Sequence, residues 1–370
     1  MAARRALPAP MFHYIDGGAD DEITLKRNSS AFDDYELIPA QLNNIETIDL
    51  TTHLFGKTLD LPFFLAPTGM SRLFHHGKEL AAARAAGAHG ALYSLSTLAT
   101  TSLEDVAAAT SGPKMFQVYI LKDRGLTIDL VKRCKAAGYD ALCLTVDTPL
   151  AGNRERDLRT GMTMPPKFTF SSMLSFAAHP LWAYKTITNP DFRLANVAHR
   201  VDALKNDAMS LIDYVNGQFD RTLTWDDAAW LAKEWGGPFV IKGLQSAEDA
   251  RRACDIGATA IMISNHGGRQ LDSAPAPIDC LKLMRDEVGD ALELIVDGGV
   301  RRGNHIVKAL ALGADACSLG RPYLYGLAAG GEAGVDRAIT ILKNETERTM
   351  ALAGYNSIQG LREGNCVNKR

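Results

Sequence analysis

The chain has 370 residues, with 40 Lys and Arg against 43 Asp and Glu, so its formal net charge is −3. Apolar residues make up 46% and charged residues 22%, a mixture that excludes disorder, and the balanced charge lacks the concentrated basic face that nucleic acid demands. Six scattered cysteines (Cys134, Cys143, Cys254, Cys280, Cys317 and Cys366) form no C-x-x-C pair, so no metal site or disulfide framework is expected and reduced thiols in a cytoplasmic setting fit better. The opening MAARRALPAP shows no secretory h-region, and no run of 18 apolar residues is available to span a bilayer.

After the first ~60 residues, short apolar runs alternate with Ala-rich amphipathic stretches. The runs are Pro62–Ala66, Ala91–Leu95, Met115–Tyr119, Ala141–Val146, Phe239–Ile241, Ala260–Ile263, Leu294–Val296 and Ala316–Leu319. The helices expected between them are Lys78–Ala86, Leu103–Ala109, Leu126–Ala137, Trp225–Trp235, Ala247–Ile256, Ile278–Val288, His305–Leu312 and a stretch after Pro322. Gly87, Gly138, Gly257 and Gly313 stand where a left-handed residue would end a helix, and Ser246 with Asp249 reads as an N-cap with an acidic first turn. Eight strand–helix units in series predict a parallel sheet closed into an α/β, (β/α)8 TIM barrel spanning 1–370 as a single domain; an open doubly wound sheet is the alternative. The N-terminal extension is expected to pack on the barrel as lid or floor. More than 70 residues separate the fourth strand from Trp225. An insertion of that length, placed at 165–224, belongs over the C-terminal mouth.

Barrel active sites form at strand C-termini, and here each such end carries a hydrogen-bonding or small residue. The ends read A-P-T-G at Ala66–Gly69, Ser96-Thr97, Gln117-Val118-Tyr119, Thr145-Val146-Asp147, Lys242-Gly243, S-N-H-G-G-R at Ser264–Arg269, Asp297-Gly298-Gly299 and Gly320-Arg321. The Gly- and Arg-rich last two, with Arg301 and Arg321, suit a phosphate. Neither G-x-G-x-x-G after a strand nor a P-loop is present. His266 at one strand end and Asp147 at another make a candidate base and its orienting carboxylate, and Arg269 offers a fork for a substrate carboxylate. Lys242, directly after an apolar run, reads three ways: a surface lysine, a Schiff-base nucleophile, or a cation facing a cofactor.

These motifs, with Y-I-D-G-G-A at Tyr14–Ala19, F-Q-V-Y at Phe116–Tyr119, L-T-V-D-T-P at Leu144–Pro149, V-I-K-G at Val240–Gly243, S-N-H-G-G-R-Q-L-D at Ser264–Asp272, D-G-G-V-R-R-G at Asp297–Gly303 and L-G-R-P at Leu319–Pro322, carry a resemblance. In this order, from about Phe12 to Leu352, the chain resembles the FMN-dependent L-2-hydroxy acid oxidase/dehydrogenase family, which includes L-lactate dehydrogenase, glycolate oxidase and mandelate dehydrogenase. The resemblance implies His266 as base with Asp147 as its partner. Tyr119 would bond the substrate oxygen, and Tyr14, Arg154 and Arg269 the substrate carboxylate. For FMN it implies Thr68, Gly69, Ser96, Gln117, Thr145 and Lys242 along the ring, Ser264 near the ring or ribityl chain, and Asp297 on the ribityl hydroxyls. Gly299, Arg301, Gly320 and Arg321 would take the phosphate. A fixed ammonium at Lys242 would stabilise the anionic reduced flavin, which leaves the lysine-dependent lyase reading far behind.

The implied reaction is oxidation of an L-2-hydroxy acid, L-lactate foremost, with electrons passing to a quinone or cytochrome. An oxygen-using oxidase or a mandelate-type dehydrogenase is the alternative. A homotetramer is implied as well. The chain starts close to the family's first motif, so an N-terminal haem domain is not expected. Leu98 stands where glycolate oxidase has a large aromatic, which implies extra room, and Gly69 in place of alanine is expected to open space near the flavin. The insertion is longer than in soluble relatives. Phe168, Phe170, Met173, Leu174, Phe176, Leu181, Trp182 and Tyr184 crowd into it, and Lys167, Lys185, Arg193 and Arg200 against Asp191 give a balance of +3. Apolar groups beside positive charge suit an anionic lipid surface. Peripheral attachment to the inner face of the cytoplasmic membrane is therefore expected.

Overall fold

A two-residue alternation along each barrel strand sorts side chains between two cores and sets where the chemistry lies. The computed structural model describes residues 1–163, 166–198 and 217–370. Strands β1 (Phe63–Thr68), β2 (Tyr93–Ser96), β3 (Lys114–Val118), β4 (Ala141–Thr145), β5 (Phe239–Leu244), β6 (Ala260–Ser264), β7 (Glu293–Asp297) and β8 (Ala316–Leu319) pair in parallel, each with the next in the chain. Closure comes from β8 returning to β1 with Ser318 opposite Phe64. Outward residues such as Phe116, Leu142, Ile241, Ile261 and Leu294 join the large core beneath the helices. Inward residues Met115, Cys143, Val240, Met262 and Ile295 form a separate core inside the barrel. Two residues further along each of those strands the inward position is polar: Gln117, Thr145, Lys242, Ser264 and Asp297, all buried. The barrel is thus apolar at its base and polar at its C-terminal rim.

The surrounding helices are α1 (Lys78–Ala88), α2 (Leu103–Ala109), α3 (Arg124–Ala136), α4 (Trp225–Trp235), α5 (Ala247–Asp255), α6 (Pro277–Val288), α7 (Gly303–Ala311) and α8 (Arg321–Ala353). Ser246 caps α5 by accepting from the Asp249 amide, as its spacing predicts. Gly138, Gly257 and Gly313 follow their helices with positive φ, whereas Gly87 does not. Helix α1 continues through Gly87 to Ala88, and the glycine there serves packing instead, since a Cβ would lie 2.1 Å from the Thr110 hydroxyl oxygen.

The N-terminal extension proves to be both lid and floor. Helices Ala9–Asp16 and Ile23–Ser30 cross the mouth, where the Ala19 amide donates to Gly268 O at 2.8 Å and the Asp272 carboxylate accepts from the Thr24 amide at 2.7 Å. The hairpin Thr52–Leu54/Lys57–Leu59 closes the base, its Leu54, Phe55 and Leu59 packing into the interior core. A second small pair joins Tyr35–Leu37 to Val367–Lys369.

The insertion after β4 holds helices Glu155–Thr160, Phe170–Ala177 and Pro180–Thr188. Residues 199–216 of it, including Arg200 of the counted charge, lie outside the described residues, as do 164 and 165. Its apolar groups face two ways. Phe176 stacks on Trp182 at 5.5 Å, and the Trp182 indole donates to Leu73 O at 3.0 Å, fastening the insertion to the barrel. The Arg72 guanidinium donates to Thr186 O and Asn189 O, which satisfies the free carbonyls at the end of Pro180–Thr188. Phe170, Met173, Leu174, Leu181, Tyr184 and Ile187 point outward, Phe170 and Ile187 with 79% and 76% of their surface exposed.

The lid depends on one close approach. Gly299, at the end of β7 with φ +75°, lies so near the helix Ile23–Ser30 that a Cβ would sit 1.7 Å from Asn28 O. Gly299→Ala should lower stability by about 2–6 kcal/mol, since positive-φ strain and overpacking each cost about 1–3. Thermal denaturation checks this, and a Tm unchanged from wild type would show that the lid can move aside.

Candidate active site

A cavity of about 230 Å³ opens at the barrel's C-terminal mouth. Of the site residues expected from sequence, all but Asp147, Gln117, Thr145 and Ser264 line it. Those four reach it through the residues they hold, or stand beside them on the same rung of the barrel. Asp147 bonds His266, Ser264 bonds Lys242, Gln117 accepts from Ser96, and Thr145 pairs with Lys242 in register.

The charged centre is built by four neighbouring strand ends. Lys242 Nζ donates to Ser264 Oγ at 3.1 Å and lies 3.6 Å from Asp147 Oδ2 and 3.7 Å from Asp297 Oδ2. Ser264 Oγ in turn donates to Asp297 Oδ2 at 2.7 Å. The β5 register slips just after Lys242, at Gly243 (φ +113°), where a Cβ would come 2.8 Å from that of Asp147. Only a residue without a Cβ leaves space for the carboxylate beside the lysine. Burial alone would raise the Asp147 pKa, but Lys242 and His266 outweigh it and hold the group below its ordinary value. The carboxylate is therefore ionised and can only accept hydrogen bonds.

His266 Nδ1 meets Asp147 Oδ1 at 2.9 Å. Because the partner only accepts, Nδ1 carries the proton and Nε2 keeps its lone pair. Burial and the Lys242 charge lower the His266 pKa below 6.5, with Asp147 opposing them, so the ring is neutral at pH 7. Its backbone has φ +57°, an uncommon conformation for a residue with a side chain, and its amide donates to Ser264 Oγ at 3.0 Å. The same serine thus holds the base and the lysine.

On the same cavity, the Tyr14 ring is met by two guanidinium groups, Arg154 at 5.3 Å and Arg269 at 4.9 Å from its centroid. Arg269 donates to Tyr14 O at 2.6 Å, and burial together with Arg154 pushes its pKa down to about 10. Burial also opposes the Arg154 charge, but Tyr14 and Asp157 outweigh it, the latter 3.5 Å away. Burial, reinforced by Asp147, raises the Tyr119 phenol well above its ordinary value, so it stays protonated and can donate. Arg321, the first residue of α8, donates to the carbonyls of Ile15, Gly17 and Gly267 at 2.7–2.8 Å, and Arg269 shares the Gly17 carbonyl at 3.4 Å. Burial, with Arg301 and Arg269 nearby, pushes its pKa down to about 9. Burial lowers Arg301 as well. Two crowded cations beside a helix N-terminus form a site for an anion.

The room expected at Gly69 is taken up by Leu98, whose Cβ would lie 2.9 Å from a Cβ added there. Three contributors were missed from sequence. Gln270 Nε2 donates to Asp147 O and Leu150 O, bracing the loop that carries the carboxylate. Asp157 partners Arg154, and Phe219 lines the cavity. Gln270 stands inside the S-N-H-G-G-R-Q-L-D motif, so its position was the one available signal.

The chain belongs to the family described as FMN-dependent dehydrogenase, whose model matches residues 3–368. It is 44% identical over 360 residues to a Mycobacterium tuberculosis protein provisionally named L-lactate dehydrogenase, covering 97% of this chain and 85% of that one. It is 42% identical to the L-lactate dehydrogenase of Xanthomonas euvesicatoria pv. vesicatoria, covering 96% and 92%. Among solved structures it superposes on a monotopic membrane protein, (S)-mandelate dehydrogenase, with TM-score 0.95 at 35% identity, covering 100% and 97%. It also superposes on a mandelate oxidase bound to benzoyl-formic acid, with TM-score 0.83 at 36% identity, covering 100% and 96%. The protein is therefore an FMN-dependent 2-hydroxy acid dehydrogenase or oxidase with FMN as its cofactor.

The cavity suits that group. Ser318 Oγ on its wall, and Gln117 Nε2 and Thr145 Oγ1 on the polar rim, are buried without a hydrogen-bond partner among the described residues. Such atoms are costly unless a ligand pairs them. Asp147→Asn should lower kcat/KM at least about a hundredfold, the scale of a general base, because the imidazolium loses its counter-charge. In wild type, kcat/KM should fall on acidification with an apparent pKa below 6.5, as His266 protonates. In the variant that limb should move lower still, because the carboxylate that raised the His266 pKa is gone. A limb that stays in place would separate Asp147 from the base.

Proposed function

We propose that the protein oxidises an L-2-hydroxy acid, L-lactate foremost, to the 2-oxo acid and delivers the electrons to a membrane quinone or a cytochrome. The observation that carries this reading is the neutral His266 imidazole on its ionised partner Asp147, beside two guanidinium groups that line the same small cavity. Arg269 and Arg154 clamp the substrate carboxylate, and Tyr119 donates to the substrate hydroxyl oxygen. His266 Nε2 takes the hydroxyl proton, and Asp147 stabilises the imidazolium that results. FMN, when bound, would supply the acceptor for the Cα hydrogen and the electron pair that leaves with it. Thr68, Gly69, Ser96, Gln117, Thr145, Lys242 and Ser264 would hold its ring region, Asp297 the ribityl chain, and Gly299, Arg301, Gly320 and Arg321 its phosphate. Lys242 places a fixed positive charge where electron density arrives.

The names of the curated relatives favour lactate. A mandelate-type substrate is the second reading, favoured by the TM-score of 0.95 with (S)-mandelate dehydrogenase. Anaerobic bleaching of the yellow holoprotein with L-lactate, glycolate, L-mandelate and longer 2-hydroxy acids decides between them, and re-oxidation by oxygen or a quinone analogue tests the acceptor. Arg269→Lys should raise KM for the acid at least tenfold, since a point charge replaces a two-pronged clamp worth about 1.5–3 kcal/mol per bond. FMN content should hold. An unchanged KM would remove Arg269 from the clamp.

The same reading puts the outward face of the insertion on a lipid surface. No helix among the described residues is long and apolar enough to cross a membrane, so attachment would be peripheral. Phe170, Leu174, Leu181, Tyr184 and Ile187 would enter the acyl boundary, with Lys167 and Arg193 beside the headgroups. Replacing those five apolar residues by Ser should release the protein from anionic vesicles in co-sedimentation while bleaching by substrate survives, because Phe176, Trp182 and Arg72 still fasten the insertion. Wild-type protein left in the supernatant at both low and high salt would end the membrane reading.

A further inference from the structure

The mouth cavity has a neighbour. A second cavity of about 290 Å³ lies between the β4–β5 wall and α4, beneath the segment that enters α4. Its described lining is largely apolar, with Ile120, Leu144, Leu223, Trp225 and Ile241. Tyr119, Thr148 and Phe219 line both cavities. The Phe219 ring meets Tyr119 edge-on, with centroids 4.9 Å apart and planes at 81°.

Phe219 is held from both sides. It forms an isolated antiparallel bridge with Leu121, and the Lys122 amide donates to Gln218 O at 2.9 Å. Arg124 reaches Asp220 at 3.0 Å. Its ring packs in a cluster with Met70, Leu121, Leu126 and Leu194. The residue therefore forms a fixed wall.

We propose that Phe219 sets the side-chain length of the accepted 2-hydroxy acid, by closing the substrate cavity off from a second cavity that is a latent subsite for an unbranched alkyl chain. This rests on the reading of the site as one for 2-hydroxy acids. A substrate gripped at its carboxylate by Arg154 and Arg269, and at its hydroxyl by His266 and Tyr119, has only its side chain free to vary. Each added methylene is tolerated only where apolar volume receives it. Of the three residues common to both cavities, Tyr119 is committed to the hydroxyl and Thr148 is smaller. Phe219 is the group whose shortening joins the two volumes.

The test compares kcat/KM for L-lactate, 2-hydroxybutyrate, 2-hydroxyhexanoate and 2-hydroxyoctanoate in wild-type, Phe219→Ala and Phe219→Leu holoenzymes. Dissociation constants of the matching 2-oxo acids, by equilibrium titration, give a readout independent of turnover. The 2-hydroxyoctanoate-to-lactate ratio should rise by about tenfold or more in Phe219→Ala, the weight of one well-placed methylene, and by less in Phe219→Leu. The affinity for 2-oxooctanoate relative to pyruvate should follow. Phe219→Leu keeps an apolar group against Leu126 and Leu194, so it remains informative should the alanine variant fail to fold. If lactate is oxidised but the ratio stays within about twofold of wild type in the folded variants, Phe219 is not the partition. If no 2-hydroxy acid reduces the wild-type protein, the parent reading falls and this one with it.

Discussion

The rest of the site depends on one buried ammonium. A lysine inside a barrel is costly unless opposite charge and hydrogen bonds surround it, and Lys242 has two carboxylates and a serine within 3.7 Å. Its charge keeps Asp147 ionised, which fixes the His266 tautomer, and also lowers the His266 pKa, which keeps the ring neutral and able to accept a proton. One cation thereby decides the state of both members of the pair. The arrangement requires β4, β5, β6 and β7 to stand side by side, so barrel closure and the register slip at Gly243 come before any chemistry.

Around this centre the cavity carries an excess of positive charge. Arg154, Arg269, Arg301 and Arg321 all line it, Arg269 and Arg321 meeting at the Gly17 carbonyl, and burial lowers the pKa of Arg269, Arg301 and Arg321. Like charges held in a low dielectric repel strongly, and the repulsion is relieved when anions bind. Four such cations suit two anionic groups, a substrate carboxylate and a cofactor phosphate. Arg321 has a second task, since its three carbonyl contacts tie the N-terminal lid to the barrel and bring Tyr14 over the mouth.

The insertion shows how one aromatic-rich segment can do opposite things with its two faces. Phe176 and Trp182 turn toward the barrel, and the carbonyls at the end of Pro180–Thr188 are satisfied by Arg72. With the helices fastened in this way, the remaining apolar residues are presented outward on a supported surface. Composition alone put Phe176 and Trp182 in the same class as Phe170 and Leu181. The structure divides them.

Much of the molecule was legible in its sequence because the signals are local. Alternation of period two, helix periods, caps and turn glycines follow from covalent geometry within a few residues, so eight strand–helix units and their polar ends could be read directly. His266, Asp147 and Lys242 stood out because each ends an apolar run where barrels place their chemistry. The relations between distant segments were not legible: Leu98 filling the space at Gly69, Gln270 bracing Asp147 across more than a hundred residues, and Phe219 walling the cavity against Tyr119. Gly87 was misread as a helix end for the same reason, since Thr110 from the next unit explains it. A sequence specifies which side of each strand faces inward. Which residue meets which across the mouth is decided only when the barrel closes and its long loops settle, because those contacts depend on the packing of the whole.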